Sequence, residues 1–338
     1  MMHNTTLGRT SLAVPRLVFG SMARGKHDDA ARMDVLQTAI QSGLTTIDTA
    51  PLYDFGEAER QIGLALQSLP GIEVQILTKV GLRWDGGDHG EVLFEYTDPH
   101  GNRRTVRRNS RPESICWEVE QSLQRLQLDT LDLVQVHQPD ELTPLDETMG
   151  ALLDLRAAGK LRHIGVSNFS ISQIKQAQRA LGDVPLASVQ PQYNLLQRQI
   201  ETDLQPFCIA EHIGIIAYSP LAAGHLTGSS KVDTPASINN TVQQILLPMA
   251  EKYEVSPAAL ALAWVFHQPG VNAAIAGASH PMQVQQQIKA LTVSLSAWDR
   301  DSLTTHFARV PLDPPPPLWK RLGRRVRRLL GSRVPRQR

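Results

Sequence analysis

Short β-branched runs alternate along the chain with longer segments whose apolar residues recur every three or four positions. Val14–Gly20, Thr45–Ile47, Val74–Lys79, Leu131–His137, His163–Asn168, Ser188–Asn194, Ile213–Tyr218 and Val271–Gly277 read as eight strands. A short hairpin beginning at Leu7–Ser11 leads into the first. Between the strands, Asp28–Ser42, Glu57–Leu69, Pro112–Leu126, Pro144–Ala158, Ser172–Leu181, Glu201–Glu211, Ser256–His267 and Met282–Leu291 have helical periodicity. Gly43 and Gly159 stand where helices should stop, and Pro112 sits where a first helical turn tolerates it.

Strict β-α alternation implies a parallel sheet, and eight repeats in one chain imply a closed (β/α)8 barrel of the TIM type. An open doubly wound sheet is the alternative. It would want a glycine-rich turn after the first strand, and Phe19-Gly-Ser-Met-Ala-Arg-Gly25 lacks the G-x-G-x-x-G spacing. Two segments break the rhythm. Trp84–Arg111 is long, polar and glycine-containing, with a basic run at Arg103–Arg108; it reads as an irregular connection overhanging the third strand's end. Ala222–Asn240, rich in Gly, Ser and Thr, follows the seventh strand, where barrels often bind phosphate.

The chain has 338 residues, 41% of them hydrophobic and 20% charged, which fits a globular protein rather than a disordered one. Its two cysteines make no metal-type cluster and point to a reducing compartment, hence a cytoplasmic expectation. No signal peptide or membrane-length apolar run is visible. The net charge of +1 hides an asymmetry: nine cations and no acid fall within residues 320–338. The expected organisation is a barrel over residues 1–308, a proline-rich linker over 309–317 and a tail over 318–338. The tail is either a basic amphipathic helix or a disordered solubilising segment; as a helix it suits an anionic membrane surface or an acidic partner. Nucleic acid is not expected.

Candidate chemistry gathers at strand ends. Asp48, Lys79 and His137 close the second, third and fourth strands, and Tyr53 follows Asp48 by five residues. In a parallel barrel all strand C-termini meet at one face. Each residue has an ordinary reading: Asp48 a helix cap, Tyr53 a rim phenol, Lys79 a structural ion-pair partner, His137 a hydrogen-bonded core histidine. Together they suit proton donation to a carbonyl oxygen. An ammonium beside a phenol eases its proton release, a carboxylate holds that ammonium, and an imidazole stabilises the developing oxyanion. A Schiff-base aldolase using Lys79 is the weaker alternative.

The chain resembles an aldo-keto reductase from about Leu7 to about Leu291. The resemblance rests on Asp48-Thr-Ala-Pro-Leu-Tyr53, Leu77-Thr-Lys79, Leu133–Pro139, Gly159–Phe169, Gln190–Asn194 and Ala217–Leu221. The Glu57 helix, the Trp84 insertion and Gly224–Gly228 are most similar to the bacterial general-stress-protein and potassium-channel β-subunit branch. The resemblance implies a nicotinamide cofactor, NADPH or NADH, and the tetrad Asp48, Tyr53, Lys79 and His137. It implies that Ser167, Asn168 and Gln190 hold the carboxamide and that Tyr218 stacks on the ring. Ser219, Leu221 and Gly224 would lie along the pyrophosphate, and Gly277, Ser279, Gln283, Gln286 and Gln287 at the adenosine phosphate. None of these last five is a cation, which speaks against a strong NADPH preference. The expected activity is reduction of small aldehydes or ketones, by a monomer or a homo-oligomer. The alternative is a slow nucleotide-sensing regulatory subunit docked through the tail.

Overall fold

A computed structural model describes residues 4–22, 29–85, 89–97, 101–230 and 232–311. The proposed linker, from residue 312 on, and the whole basic tail lie outside the described residues.

Eight parallel strands close on themselves: β3 (Leu17–Gly20), β4 (Thr46–Asp48), β5 (Gln75–Val80), β9 (Leu131–Val136), β10 (Leu161–Ser167), β11 (Leu186–Gln190), β12 (Gly214–Tyr218) and β13 (Val271–Ala276), which pairs back onto β3. The antiparallel hairpin of β1 (Asn4–Thr6) and β2 (Ala13–Pro15) precedes them, and Leu7, Leu12 and Val14 pack into the barrel's inner core. Around the barrel run α1 (Asp29–Gln41), α2 (Glu57–Ser68), α3 (Pro112–Leu126), α4 (Leu145–Ala157), α5 (Ile171–Leu181), α6 (Leu204–Glu211), α7 (Ala236–Thr241), α8 (Leu247–Lys252), α9 (Pro257–Phe266), α10 (Pro281–Ile288) and α11 (Ala297–Ala308).

The period of two along a strand positions the site. Val18, Leu77, Leu133, Ile216 and Ala273 belong to the inner core, while Ile47, Ile76, Val134, Val166, Val189, Ile215 and Ala274 pack outward into the helical layer. Stepping by two from Leu77 reaches Lys79, from Leu133 reaches Gln135 and then His137, and from Ile216 reaches Tyr218. The registers Asp48↔Leu77 and Lys79↔Gln135 stagger Asp48, Lys79 and His137 by two positions from strand to strand toward the C-terminal mouth, and Ser167 pairs with Gln190.

The segment Trp84–Arg111 departs from the expected irregular connection. It contains most of a three-stranded antiparallel sheet: β6 (Leu82–Arg83), β8 (Arg103–Arg108) and β7 (Val92–Thr97), in that order. Its basic run forms a strand because cross-strand partners answer its charges. Arg103 pairs with Glu95 at 2.6 Å and Arg108 pairs with Glu91. Val106, Leu93, Phe94 and Tyr96 are buried in a small core shared with Leu52 and Leu82.

Two further helical stretches went unmarked by apolar periodicity. Within Ala222–Asn240, a 3-10 turn covers Ala222–Thr227 and α7 begins at Ala236; a π-turn at Val242–Leu246 then links α7 to α8. α11 buries Asp299, Leu303 and Phe307, so its inner stripe includes a charged residue. That carboxylate accepts from Lys252 Nζ at 2.8 Å, Tyr253 Oη at 2.6 Å and Ser296 Oγ at 2.7 Å.

Candidate active site

Asp48 ends β4, where Thr49 N–H bonds Leu77 O and Ala50-Pro51 turns the chain outward. Its carboxylate is buried and accepts from two donors, Lys79 Nζ at 2.6 Å and Gln190 Nε2 at 2.8 Å. Two donors on one carboxylate suit its ionised form. Burial pushes the Asp48 carboxyl above its ordinary value, against the pull of Lys79 and Gln190. Lys79 Nζ also donates to Thr49 O at 2.9 Å. Burial pulls Lys79 down, but Asp48 and the Tyr53 phenol together push it up and prevail. The side chain is 1% exposed, so its charge survives only because it is paired.

Tyr53 opens a short 3-10 turn, with its N–H on Ala50 O, and its ring centroid lies 5.1 Å from Lys79 Nζ. The His137 ring stands edge-on to it, with centroids 6.0 Å apart and planes at 79°. Burial, reinforced by the Lys79 ammonium, holds His137 well below the usual imidazole range. It is therefore a neutral hydrogen-bonding group at ordinary pH, not a cation. The tetrad anticipated from the strand ends is one contiguous cluster.

A polar belt extends it. Asn168 Nδ2 donates to His137 O and to Ser167 Oγ, each at 3.0 Å, and its Oδ1 accepts from Tyr218 Oη at 3.0 Å. Ser167 Oγ donates to Gln190 O at 2.8 Å. Asn168 is left-handed at φ 63°, a conformation asparagine tolerates better than most residues. Ser219 and Gly224 are also left-handed, at φ 53° and 97°, in the turn leaving β12 that also carries Leu221. After β13, Gln287 is turned inward with Nε2 on Gly277 O at 2.9 Å, whereas Gln286 is exposed. Gln283 Oε1 accepts from Ser279 N at 2.7 Å and Ser279 Oγ at 3.1 Å. The bond from Gln190 to Asp48 was not legible in the sequence, because only barrel closure brings β11 opposite β4.

This rim can accommodate a nicotinamide nucleotide. Ser21 donates its N–H to Asp48 O at 2.9 Å, yet its buried Oγ has no partner among the described residues, nor does Thr49 Oγ1. Gly277 approaches so closely that a Cβ there would stand 2.9 Å from Gly20 O. The unsatisfied hydroxyl of half-buried Ser21, at the end of β3, is what a polar ligand would engage. A separate cleft of about 760 Å³ lies between the β9–α4 loop and α5, lined by Asp140, Thr143, Phe169 and Gln173. It contains none of the tetrad. Asp140 is fully occupied there, accepting from Ser110 N, Leu142 N and Thr143 Oγ1.

A parallel eight-stranded barrel with this cluster at its C-terminal mouth defines a class of reductase, and the chain belongs to the aldo/keto reductase family, whose model matches residues 16–306. It is an NAD(P)H-dependent oxidoreductase. It is 32% identical to the aldo-keto reductase YhdN of Bacillus subtilis, over 93% of this chain and 96% of that protein. It is also 32% identical to the NADH-specific methylglyoxal reductase of Escherichia coli, over 88% of this chain and 96% of that one. Among solved structures, the glycerol dehydrogenase AKR11B4 from Gluconobacter oxydans superposes with a TM-score of 0.78 at 31% identity, covering 93% of this chain and 98% of that one. The holo form of the aldo-keto reductase AKR11C1 from Bacillus halodurans gives 0.72 at 25% identity, covering 90% and 96%. Among the described residues, no helix is long and apolar enough to cross a membrane.

Proposed function

We propose that this protein reduces small aldehydes or ketones to alcohols, with Tyr53 as the general acid. The observation that carries the proposal is the placement of one buried ammonium, Lys79, between the Asp48 carboxylate at 2.6 Å and the Tyr53 ring at 5.1 Å. A free phenol ionises near pH ~10. A fixed cation beside it favours the phenolate and so makes the phenol a better acid. Asp48 holds that cation in place, and Gln190 fixes Asp48 in turn. Neutral His137, edge-on to Tyr53, supplies a hydrogen bond to the carbonyl oxygen as charge develops there. In the reverse direction Tyr53, once deprotonated, accepts the alcohol proton.

The nicotinamide supplies the hydride. Ser167, Asn168 and Gln190 are the proposed carboxamide neighbours and Tyr218 the ring's platform. Ser219, Leu221 and Gly224 are proposed for the pyrophosphate, and Gly277, Ser279, Gln283, Gln286 and Gln287 for the adenosine end. Ser279 and Gln283 are neutral and bonded to each other, so neither of them offers a cation to a 2′-phosphate. We therefore propose that NADH serves at least as well as NADPH. The similarity to an NADH-specific methylglyoxal reductase supports the same reading. A panel of methylglyoxal and other small carbonyls, followed at the nicotinamide absorbance with each cofactor, tests it; no turnover with any of them would overturn it.

A further inference from the structure

The three residues after Tyr53 are all left-handed: Asp54 at φ 49°, Phe55 at 56° and Gly56 at 90°. Two consecutive non-glycine residues in that region persist only where their surroundings hold them. Asp54 is held by an ion pair to Arg32 of α1 at 2.8 Å. Phe55 lies flat on Tyr96 of β7, with centroids 4.4 Å apart and planes 10° apart, and meets the Trp84 ring at 6.1 Å. Leu52, on the other side of Tyr53, is buried in the same small core as Leu82, Leu93, Phe94 and Val106. Gly56 takes its left-handed turn where a Cβ would stand 2.9 Å from Arg125 Cδ, and Arg125 is itself tied to the buried Glu59 at 2.8 Å.

Tyr53 is thus flanked by two side chains, Leu52 and Phe55, seated in the inserted sheet rather than in the barrel. The barrel fixes Asp48, Lys79 and His137, while the backbone on both sides of the phenol is anchored through Leu52 and Phe55. We propose that the β6–β8–β7 sheet is the clamp that sets Tyr53 against Lys79, and that Tyr96, acting through Phe55, is a positioning residue for proton transfer. This rests on Tyr53 being the proton donor. A small displacement of a reacting group costs rate rather than binding. Loosening the phenol from the ammonium also returns its pKa toward the ordinary value.

The experiment compares Tyr96→Leu, which keeps bulk but loses the flat face, with Tyr96→Phe, which keeps the stack, in the full chain. Methylglyoxal reduction is measured across pH, with active sites counted by titration with NADH. For Tyr96→Leu, kcat should fall on the order of tenfold to a hundredfold, with KM and NADH affinity little changed. The basic limb of its kcat profile should move to higher pH. Tyr96→Phe should restore both rate and limb. A Tyr96→Leu enzyme with normal kcat and an unmoved limb overturns the clamp, as does one that merely loses active sites at unchanged kcat per site. Tyr53→Phe, assayed alongside, separates the two levels. If it stays active the proton-donor reading fails, whereas an inactive Tyr53→Phe with normal Tyr96→Leu rejects only the clamp.

Discussion

Lys79 Nζ lies 2.6 Å from Asp48 Oδ1 in a site where both side chains are almost wholly buried. Neither charge is tolerable there alone. Removing one partner of a buried pair typically costs 3–5 kcal/mol, about the same as losing a large core side chain. Asp48→Asn should therefore destabilise the protein by roughly 3 kcal/mol in urea denaturation at neutral pH and nearly abolish reduction. The double variant Asp48→Asn/Lys79→Met should recover much of the stability and none of the activity. Recovery of activity in the double variant would show that the pair is merely structural.

The neutral state of His137 has a kinetic consequence. Burial and Lys79 keep its imidazole unprotonated well below the ordinary value near 6.5. As pH falls from 8 to 6, kcat for reduction should stay level, because neither His137 nor Tyr53 changes state on the acid side. It should decline only on the basic side, as Tyr53 loses the proton it must donate. An acid limb near pH 6.5 that disappears in His137→Gln would contradict this.

Glu118 of α3 offers a separate pH test, on stability. Both of its oxygens accept from Gly81 N at 3.1 Å, and burial pushes its carboxyl up from 4.5 to about 8. The folded chain then holds a proton that the unfolded chain releases, so stability falls as pH rises between those two values. It levels off above the upper one. The linked loss has an upper limit on the order of 5 kcal/mol. Glu118→Gln keeps an acceptor for Gly81 and should match the parent protein near pH 5 while exceeding it near pH 8. Urea denaturation at both values checks this; equal stability gaps at the two pH values would refute it.

The adenosine end invites a charge swap. Ser279→Arg should raise NADPH affinity about tenfold or more, the worth of a charge-assisted contact, and leave NADH within about twofold. Fluorescence titration with both cofactors reads this directly. An unchanged NADPH affinity would place the 2′-phosphate elsewhere.

How much of this was legible follows from how each piece is held. The barrel was, because its eight strands are short apolar-rich runs and the eight segments alternating with them show helical periodicity. The convergence of Asp48, Tyr53, Lys79 and His137 was too, because Asp48, Lys79 and His137 stand at strand ends and parallel closure does the rest. The inserted sheet was not, because its core is completed by Leu52 and Phe55, distant in sequence from Leu82 and Tyr96. α11 was not, because its buried stripe carries Asp299, stabilised by Lys252 and Tyr253 from another helix and its edge. Local pattern reports what a segment does for itself; contacts completed by distant residues stay hidden.

The central claim is that Tyr53 donates the proton. Its direct test is Tyr53→Phe, which keeps the ring beside His137 and removes only the hydroxyl. NADH-dependent methylglyoxal reduction should fall by roughly 10²–10⁴-fold, the range for loss of a general acid, with NADH affinity unchanged. A variant that turns over at near the parent rate would contradict it.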